Sequence, residues 1–187
     1  LGANVLLHHV PLGSHDEFVG MCDLIENVAY IWKEEDKDSP WETVPLDQVK
    51  SRFTFATSRD NDWIDQLPKL RQDALETALA LDDDAFMAFV ETGEFDPAML
   101  KACIRKGTVT GQLVPVFCGS SFKNKGVQQL LDAVIAYMPY PGENGGISMV
   151  DVDGNVIGTQ EVSDDAPARA LAFKVINDQF GTLTFAR

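Results

Sequence analysis

Residues 112–138 read QLVPVFCGSSFKNKGVQQLLDAVIAYM and place three elements in direct succession. Residues 112–117 form a nearly continuous apolar run, which is typical of a strand buried on both faces. A loop of small residues follows at Gly119-Ser120-Ser121, and residues 127–138 have helical periodicity up to Pro139. In a parallel α/β sheet a strand delivers such a loop to its carboxyl edge, where ligands bind. The stretch therefore predicts an α/β fold with a candidate binding loop after this strand.

The candidate loop has the properties of a backbone-mediated binding site. Small side chains at Ser120 and Ser121 let the main chain approach a flat ligand, and the start of the next helix adds a positive dipole end. Lys123 and Lys125 carry long apolar stems that fit over the face of a base. On pattern alone the commoner alternative, a serine-capped helix with solvated lysines, stays open.

The chain lacks the motifs of nucleotide hydrolysis and of a serine hydrolase. No stretch matches Gly-x-x-x-x-Gly-Lys-Ser/Thr, so no loop cradles β- and γ-phosphates or positions a magnesium ion. Gly119-Ser120-Ser121 is not a nucleophile elbow, because Lys123 stands where the second glycine belongs. We therefore predict no catalytic residues within this chain.

The histidines and cysteines predict no metal centre. If residues 5–10 form one strand, the adjacent His8 and His9 point to opposite faces and do not share an ion. The three cysteines are widely spaced and include no Cys-x-x-Cys pair, which argues against a zinc site or a disulfide framework. This cysteine usage favours a reducing compartment, and we expect a cytoplasmic protein.

Elsewhere the pattern changes from strands to helices and back to strands. Apolar runs, helical periodicity, aspartate caps and glycine stops define these elements. Strands are predicted at residues 5–10, 18–32 (two strands) and 41–44, with a loop at 33–40; helices are predicted at residues 67–81, 82–91 and 96–106. A proline- and glycine-rich linker at residues 140–146 is followed by predicted β-structure, namely a hairpin turning at residues 153–155 and strands near residues 170–176 and after residue 181.

The composition favours protein partners over nucleic acid. The net charge is −14, and a surface this acidic repels phosphate backbones. A basic protein partner suits it better, although acidity that only keeps the chain soluble is the alternative. No apolar run approaches the roughly 18 residues that a membrane span needs.

Residues 118–128, CGSSFKNKGVQ, resemble the guanine-specificity loop of bacterial elongation factor G, where the family usually reads Gly-Ser-Ala-Phe/Leu-Lys-Asn-Lys-Gly-Val-Gln. Further similar blocks occur in family order at residues 12–26, 29–32, 104–108, 131–139 and 170–174. The likeness covers nearly the whole chain, and this collinearity carries more weight than any one motif.

The resemblance implies an α/β fold in three parts: part of a P-loop GTPase sheet, an inserted α+β subdomain, and the first strands of a β-barrel domain. Residues 1–12 and 111–145 would be the C-terminal part of the GTPase domain, residues 13–110 the inserted subdomain, and residues 146–187 the linker and the start of the barrel. The two ends, Leu1-Gly2-Ala3-Asn4 and Thr184-Phe185-Ala186-Arg187, predict an internal segment of a longer protein.

The resemblance also implies a guanine loop made of Ser120, Ser121, Phe122 and Lys123. The backbone amide of Ser121 would donate to guanine O6, Ser120 would shape the turn, and Lys123 would flank the base. Adenine presents a donor at that position, so a backbone donor rejects it. The parent protein would bind GTP or GDP with magnesium and hydrolyse GTP on the ribosome; no cofactor is expected on this segment alone.

The inserted subdomain of this family is associated with the basic C-terminal domain of the ribosomal stalk protein. Asp73 and Glu76 on the first predicted helix, and Asp83 two turns beyond Glu76, are the candidate contacts. Ala80 stands where the family often has a carboxylate, and a solvated acidic face is the alternative. We expect the ribosome and GTP as partners, no membrane, and little direct binding of nucleic acid.

Three departures from the family pattern favour a divergent paralogue. Ser121 replaces the usual alanine, Asp178-Gln179-Phe180-Gly181 is one residue shorter than the usual Asp-Pro-Phe-Val-Gly, and the predicted loop at residues 58–63 is unlike the common pattern. A translocation factor, a ribosome-recycling factor and a related peptide-release GTPase stay open, with the collinear blocks favouring elongation factor G. The alternative from a different class is a non-enzymatic acidic adaptor that binds a basic protein and no nucleotide.

Overall fold

The computed structural model describes residues 2–33, 40–55, 58–144 and 146–186, in two compact units, Leu1–Met138 and Pro139–Arg187. The described residues form ten strands and five α-helices. The strands are β1 (Val5–Leu7), β2 (His9–Leu12), β3 (Gly20–Asp23), β4 (Val28–Trp32), β5 (Trp41–Pro45), β6 (Val114–Val116), β7 (Ile147–Val150), β8 (Val156–Gln160), β9 (Ala172–Asp178) and β10 (Gly181–Ala186). The helices are α1 (Val49–Arg52), α2 (Ser58–Leu79), α3 (Asp83–Thr92), α4 (Pro97–Val109) and α5 (Val127–Tyr137). None of these helices combines the length and the apolar character that crossing a bilayer requires.

The first unit contains a parallel strand pair, which agrees with the predicted mixed α/β class. Strand β1 pairs with β6 with Leu6 opposite Pro115, and the His8 amide extends the pairing by donating to the Val116 carbonyl at 3.0 Å. The prediction that residues 112–117 are buried on both faces was wrong. Strand β6 is three residues long and Val114 is 46% exposed, because this sheet has only two strands in the described part of the chain.

A four-stranded antiparallel sheet in the order β2-β3-β4-β5 lies beside that pair. The two strands predicted within residues 18–32 and the strand at residues 41–44 are confirmed as β3, β4 and β5. The single strand predicted at residues 5–10 was wrong, because the chain pairs with β6 up to Leu7 and with β3 from His9 onward. Most of the predicted loop at residues 33–40 lies outside the described residues.

Helix α2 packs its apolar stripe against the core, with Leu67, Ala74, Leu75 and Ala78 all buried. The predicted start near residue 67 was wrong, since the helix begins at Ser58 and passes through Pro68. The apolar periodicity is recognisable only from Leu67 onward, so the pattern placed the start there. The stretch at residues 58–63, expected to be a loop, is the first part of this helix.

The caps of the next two helices are as predicted. The Asp82 carboxylate accepts the Ala85 amide at 3.1 Å to begin α3, which ends at Gly93 with φ of 72°. The Asp96 carboxylate accepts the Ala98 amide at 2.9 Å to begin α4. The predicted stop at Gly107 was wrong, because α4 continues to Val109. A Cβ atom at Gly107 would lie 2.3 Å from Leu81 Cδ1, so glycine there serves close packing rather than termination.

The second unit consists of two antiparallel hairpins, β7–β8 and β9–β10. The hairpin turn predicted at residues 153–155 is confirmed, with the Asp151 carboxylate accepting the amides of Asp153 and Asn155, each at 2.9 Å. The strand expected at residues 170–176 begins and ends two residues later, at Ala172–Asp178. Every residue of β9 and β10 is exposed.

Candidate functional site

The candidate guanine loop is a closed turn that follows β6. Ser120 and Lys125 face each other as an antiparallel bridge, with the Ser120 amide donating to the Lys125 carbonyl at 2.8 Å and the Lys125 amide donating back at 3.0 Å. Inside this bridge the Asn124 amide donates to the Ser121 carbonyl at 3.1 Å. These three backbone bonds close the turn formed by residues 120–125.

Two glycines make this turn sterically possible. A Cβ atom at Gly119 would lie 2.6 Å from the Lys125 carbonyl oxygen, too close for any side chain. Gly126 precedes α5 with φ of 83°, the left-handed region that glycine adopts without strain. Gly119 and Gly126 both belong to the family-like stretch at residues 118–128, and the backbone conformation of this turn requires glycine at both positions.

The tip of the turn is exposed to solvent. Ser121 is exposed, and its N–H donates to no acceptor among the described residues. Phe122 beside it is 83% exposed. Because β1 and β6 are parallel, their carboxyl ends lie at the same edge of the sheet, and the loop leaves that edge. The loop therefore offers an open backbone donor at the position where α/β folds bind ligands.

A cleft of about 370 Å³ adjoins this loop. Gly119, Ser120, Lys123 and Lys125 form its loop side, and the opposite side is formed by His15, Asp16, Phe18, Val19, Trp32 and Lys33. The lining thus combines three lysines with Asp16, and the Lys33 ammonium is already paired with Glu42 at 2.9 Å. Of the four predicted site residues, the structure brings Ser120 and Lys123 to the cleft, while Ser121 and Phe122 lie on the exposed tip of the turn.

The three candidate contacts for a basic partner do not share one helix. Asp73 and Glu76 are exposed on α2, and Glu76 accepts a hydrogen bond from the Gln72 side chain at 2.8 Å. Asp83 is the first residue of α3, as the predicted cap at residues 82–84 implies, because α2 ends at Leu79. The acidic surface therefore spans two helices joined by a turn.

A cluster that the sequence analysis excluded lies in the core near the start of β2. His8, His9 and Asp23 are 4%, 3% and 3% exposed. His8 Nδ1 is 3.4 Å from Asp23 Oδ1, and His9 Nε2 is 3.2 Å from Asp23 Oδ2. The expectation that the two histidines point apart was wrong, because the strand breaks between them and the alternation of side chains is lost. No local signal in the apolar run at residues 5–10 marks this break.

The surroundings of the cluster favour a neutral His8 beside an ionised Asp23. Burial, opposed in part by Asp23, lowers the pKa of His8 from 6.5 to about 4. For Asp23, burial acts to raise the pKa, but the hydrogen bond with His9 and the proximity of His8 leave it lowered. The Asp23 Oδ1 atom also accepts the amides of Ile25 and Glu26, each at 2.9 Å. One carboxylate therefore holds both histidines and the β3–β4 turn.

Curated proteins named elongation factor G match the chain from end to end. Elongation factor G 2 of Vibrio cholerae is 42% identical over 189 residues, and elongation factor G 2 of Saccharophagus degradans is 42% identical over 190 residues. Each alignment covers 100% of this chain and 25% of the relative. Elongation factor G of Gluconobacter oxydans is 39% identical over 183 residues, covering 95% of this chain and 24% of the relative. The chain thus spans about a quarter of the length of the curated relatives it matches.

Among solved structures, a protein from Thermus thermophilus has the same fold. The match has a TM-score of 0.63 at 21% identity and covers 98% of this chain and 23% of that one. No protein-family model matches the chain.

Proposed function

We propose that this chain, which is homologous over its full length to elongation factor G, is the segment of a GTP-hydrolysing translation factor that completes its guanine site. The parent protein binds GTP or GDP with magnesium and, on the ribosome, hydrolyses GTP to drive the movement of tRNA and mRNA, in the cytoplasm. The observation that carries the proposal is the end-to-end match at 39–42% identity, together with the open Ser121 amide in the matching loop.

The proposed role of the loop is to read the base through the backbone. The backbone N–H of Ser121 donates to guanine O6. If adenine is bound instead, its exocyclic amino group faces this N–H, and two buried donors are left without an acceptor. Lys123 flanks the base from the cleft, and Ser120 is held by its bridge with Lys125. Phosphate and magnesium contacts come from parts of the parent outside these 187 residues.

Two experiments test this function. The reading frame upstream of Leu1 must encode Gly-x-x-x-x-Gly-Lys-Ser/Thr and Asn-Lys-x-Asp; a frame without them removes the proposal. In the full-length protein, Ser121→Pro deletes the amide donor and should weaken GDP binding about 10- to 100-fold, since leaving the buried guanine O6 without a donor costs about 1–3 kcal/mol. Ser121→Ala keeps the amide and is the matched control. Equal affinity in both variants would contradict backbone reading.

For the partner, we propose the basic C-terminal domain of the ribosomal stalk protein, docking on the α2 surface around Asp73 and Glu76. Charge complementarity acts mainly on the association rate, so replacing both residues by lysine should slow association by about tenfold or more at low salt. Lysine at Asp153 and Asp164, which are exposed and lie in the other unit, is the charge-matched control. Identical on-rates for the two double variants would rule out docking at this face.

A further inference from the structure

Three side chains of the types that bind transition metals converge in the core of the first unit. One donor atom each from His8, His9 and Asp23 lies within 4.8 Å of the other two, and all three residues are more than nine-tenths buried. We propose that these residues bind a divalent transition-metal ion, for which Zn²⁺ is the best match. This site is separate from the guanine loop and does not depend on the proposed function.

The separations of the donors fit a single ion. Zinc takes imidazole nitrogen and carboxylate oxygen at about 2.0–2.2 Å, which in a tetrahedral arrangement places neighbouring donors roughly 3.4 Å apart. His8 Nδ1 and His9 Nε2 lie 3.4 Å and 3.2 Å from oxygens of Asp23. Each imidazole nitrogen contacts a different oxygen of Asp23, so the carboxylate must turn one oxygen towards both nitrogens when the ion binds. Two imidazoles and one carboxylate leave the fourth position open, as in catalytic zinc sites.

Hydrogen bonding alone leaves polar atoms of this region without partners. His8 Nδ1, His9 Nδ1 and Gln129 Oε1 are fully buried and have no hydrogen-bond partner among the described residues. An ion accounts for His8 Nδ1 directly. It also defines the tautomer, since His8 Nε2–H then donates to the Tyr137 hydroxyl at 3.0 Å, the kind of outer contact that orients metal-binding histidines. His9 Nδ1 has no partner with or without the ion.

The cluster has an entry path. A cleft of about 330 Å³ reaches it and is also lined by Glu26, Gln129 and Asp132. Two further carboxylates in this cleft attract a cation, and Gln129 Oε1 or water is available for the open position. Lys101 forms an ion pair with Glu26 at 2.7 Å, with both side chains about half exposed. Calcium and magnesium fit poorly, because they prefer all-oxygen ligands.

Metal titration of the chelator-treated 187-residue chain tests this site. With Zn²⁺ alone, calorimetry should show one equivalent bound, and with Co²⁺ the visible spectrum should have the strong absorption of a tetrahedral complex. His9→Gln and Asp23→Asn should each weaken Zn²⁺ binding on the order of 100-fold. His15→Asn is the matched control, because asparagine tolerates the positive φ of 51° at that position and His15 lies outside the cluster.

Two results would overturn the proposal. One is a wild-type chain that binds no Zn²⁺, or binds it no better than His9→Gln; the other is a Co²⁺ spectrum like that of the hydrated ion. The cobalt measurement needs only the wild-type chain, so it decides the matter even if a core variant fails to fold. Loss of binding in His15→Asn as large as in His9→Gln would equally show that the ion sits elsewhere.

Discussion

Replacing Asp23 by alanine should cost this protein a large part of its folding free energy. The carboxylate is 3% exposed and accepts the amides of Ile25 and Glu26, each at 2.9 Å, in addition to its contact with His9 at 3.2 Å. Leaving a buried polar group without a partner costs about 1–3 kcal/mol. Three orphaned donors, of which the Glu26 amide is partly accessible to water, predict a loss of about 4 kcal/mol. Typical domains are stable by only about 5–15 kcal/mol.

Urea unfolding in the presence of a chelator measures this loss without any contribution from bound metal. Tryptophan fluorescence reports the transition, since Trp32 on β4 is 5% exposed and next to the affected hairpin. Asp23→Asn keeps one oxygen for the two backbone amides and should lose only about half as much. Asp47→Ala removes an exposed carboxylate and should change stability by less than about 0.5 kcal/mol. An Asp23→Ala variant as stable as Asp47→Ala would refute the account of this carboxylate as the anchor of the turn.

Three further outcomes are expected. Gly20→Ala should destabilise the chain by about 3 kcal/mol in the same urea assay, because the new Cβ would lie 2.0 Å from the Tyr30 carbonyl oxygen. The control is Gly93→Ala, which has open space around it and should cost only about 1 kcal/mol for the left-handed backbone conformation. Equal losses in the two variants would contradict this steric argument. In the presence of a chelator, the free energy of unfolding should have its full value above pH 6.5 and fall by up to about 3 kcal/mol as the pH drops towards 4. His8 faces Asp23, His9, Glu26 and Tyr137, and burial lowers its pKa from 6.5 to about 4. The unfolded chain therefore takes up this proton at a higher pH than the folded chain does. Asp23, with its own lowered pKa, adds a loss only at still lower pH; a flat profile between pH 4 and 6.5 would contradict a neutral His8. The 187-residue chain alone should show no GTPase activity and no sub-millimolar GTP binding by calorimetry, since one base-reading loop provides few contacts; tight binding would show that phosphate contacts lie within it.

The elements that local chemistry defines were predicted well. Asp82 and Asp96 cap helices through bonds to amides two or three residues away, so their effect is visible in a short window of sequence. The same holds for the hairpin turn held by Asp151. The candidate loop at residues 119–121 was also placed correctly after its strand, because small residues directly after an apolar run mark a loop locally. The role of this loop in binding a ligand stays a prediction.

Elements that depend on distant partners were predicted poorly. The length of α2 was missed because its apolar periodicity is recognisable only from Leu67 onward, whereas the helix begins at Ser58. Gly107 was taken as a stop, whereas its lack of a side chain lets α4 lie against Leu81 and Leu113. For Gly107 the deciding contact comes from Leu81, a residue that a local window does not contain.

Local chemistry in the chain was thus enough to specify the caps, the turns, the order of elements and the family resemblance of residues 118–128. Only the folded structure showed that β1 and β2 belong to different sheets, with the break falling at His8. Which sheet a strand joins depends on hydrogen-bond partners outside any local window: the His8 amide donates to the Val116 carbonyl, and the His8 carbonyl accepts from the Leu24 amide. That switch of partners turns two adjacent histidines towards one aspartate, and it leaves no mark in the residues themselves.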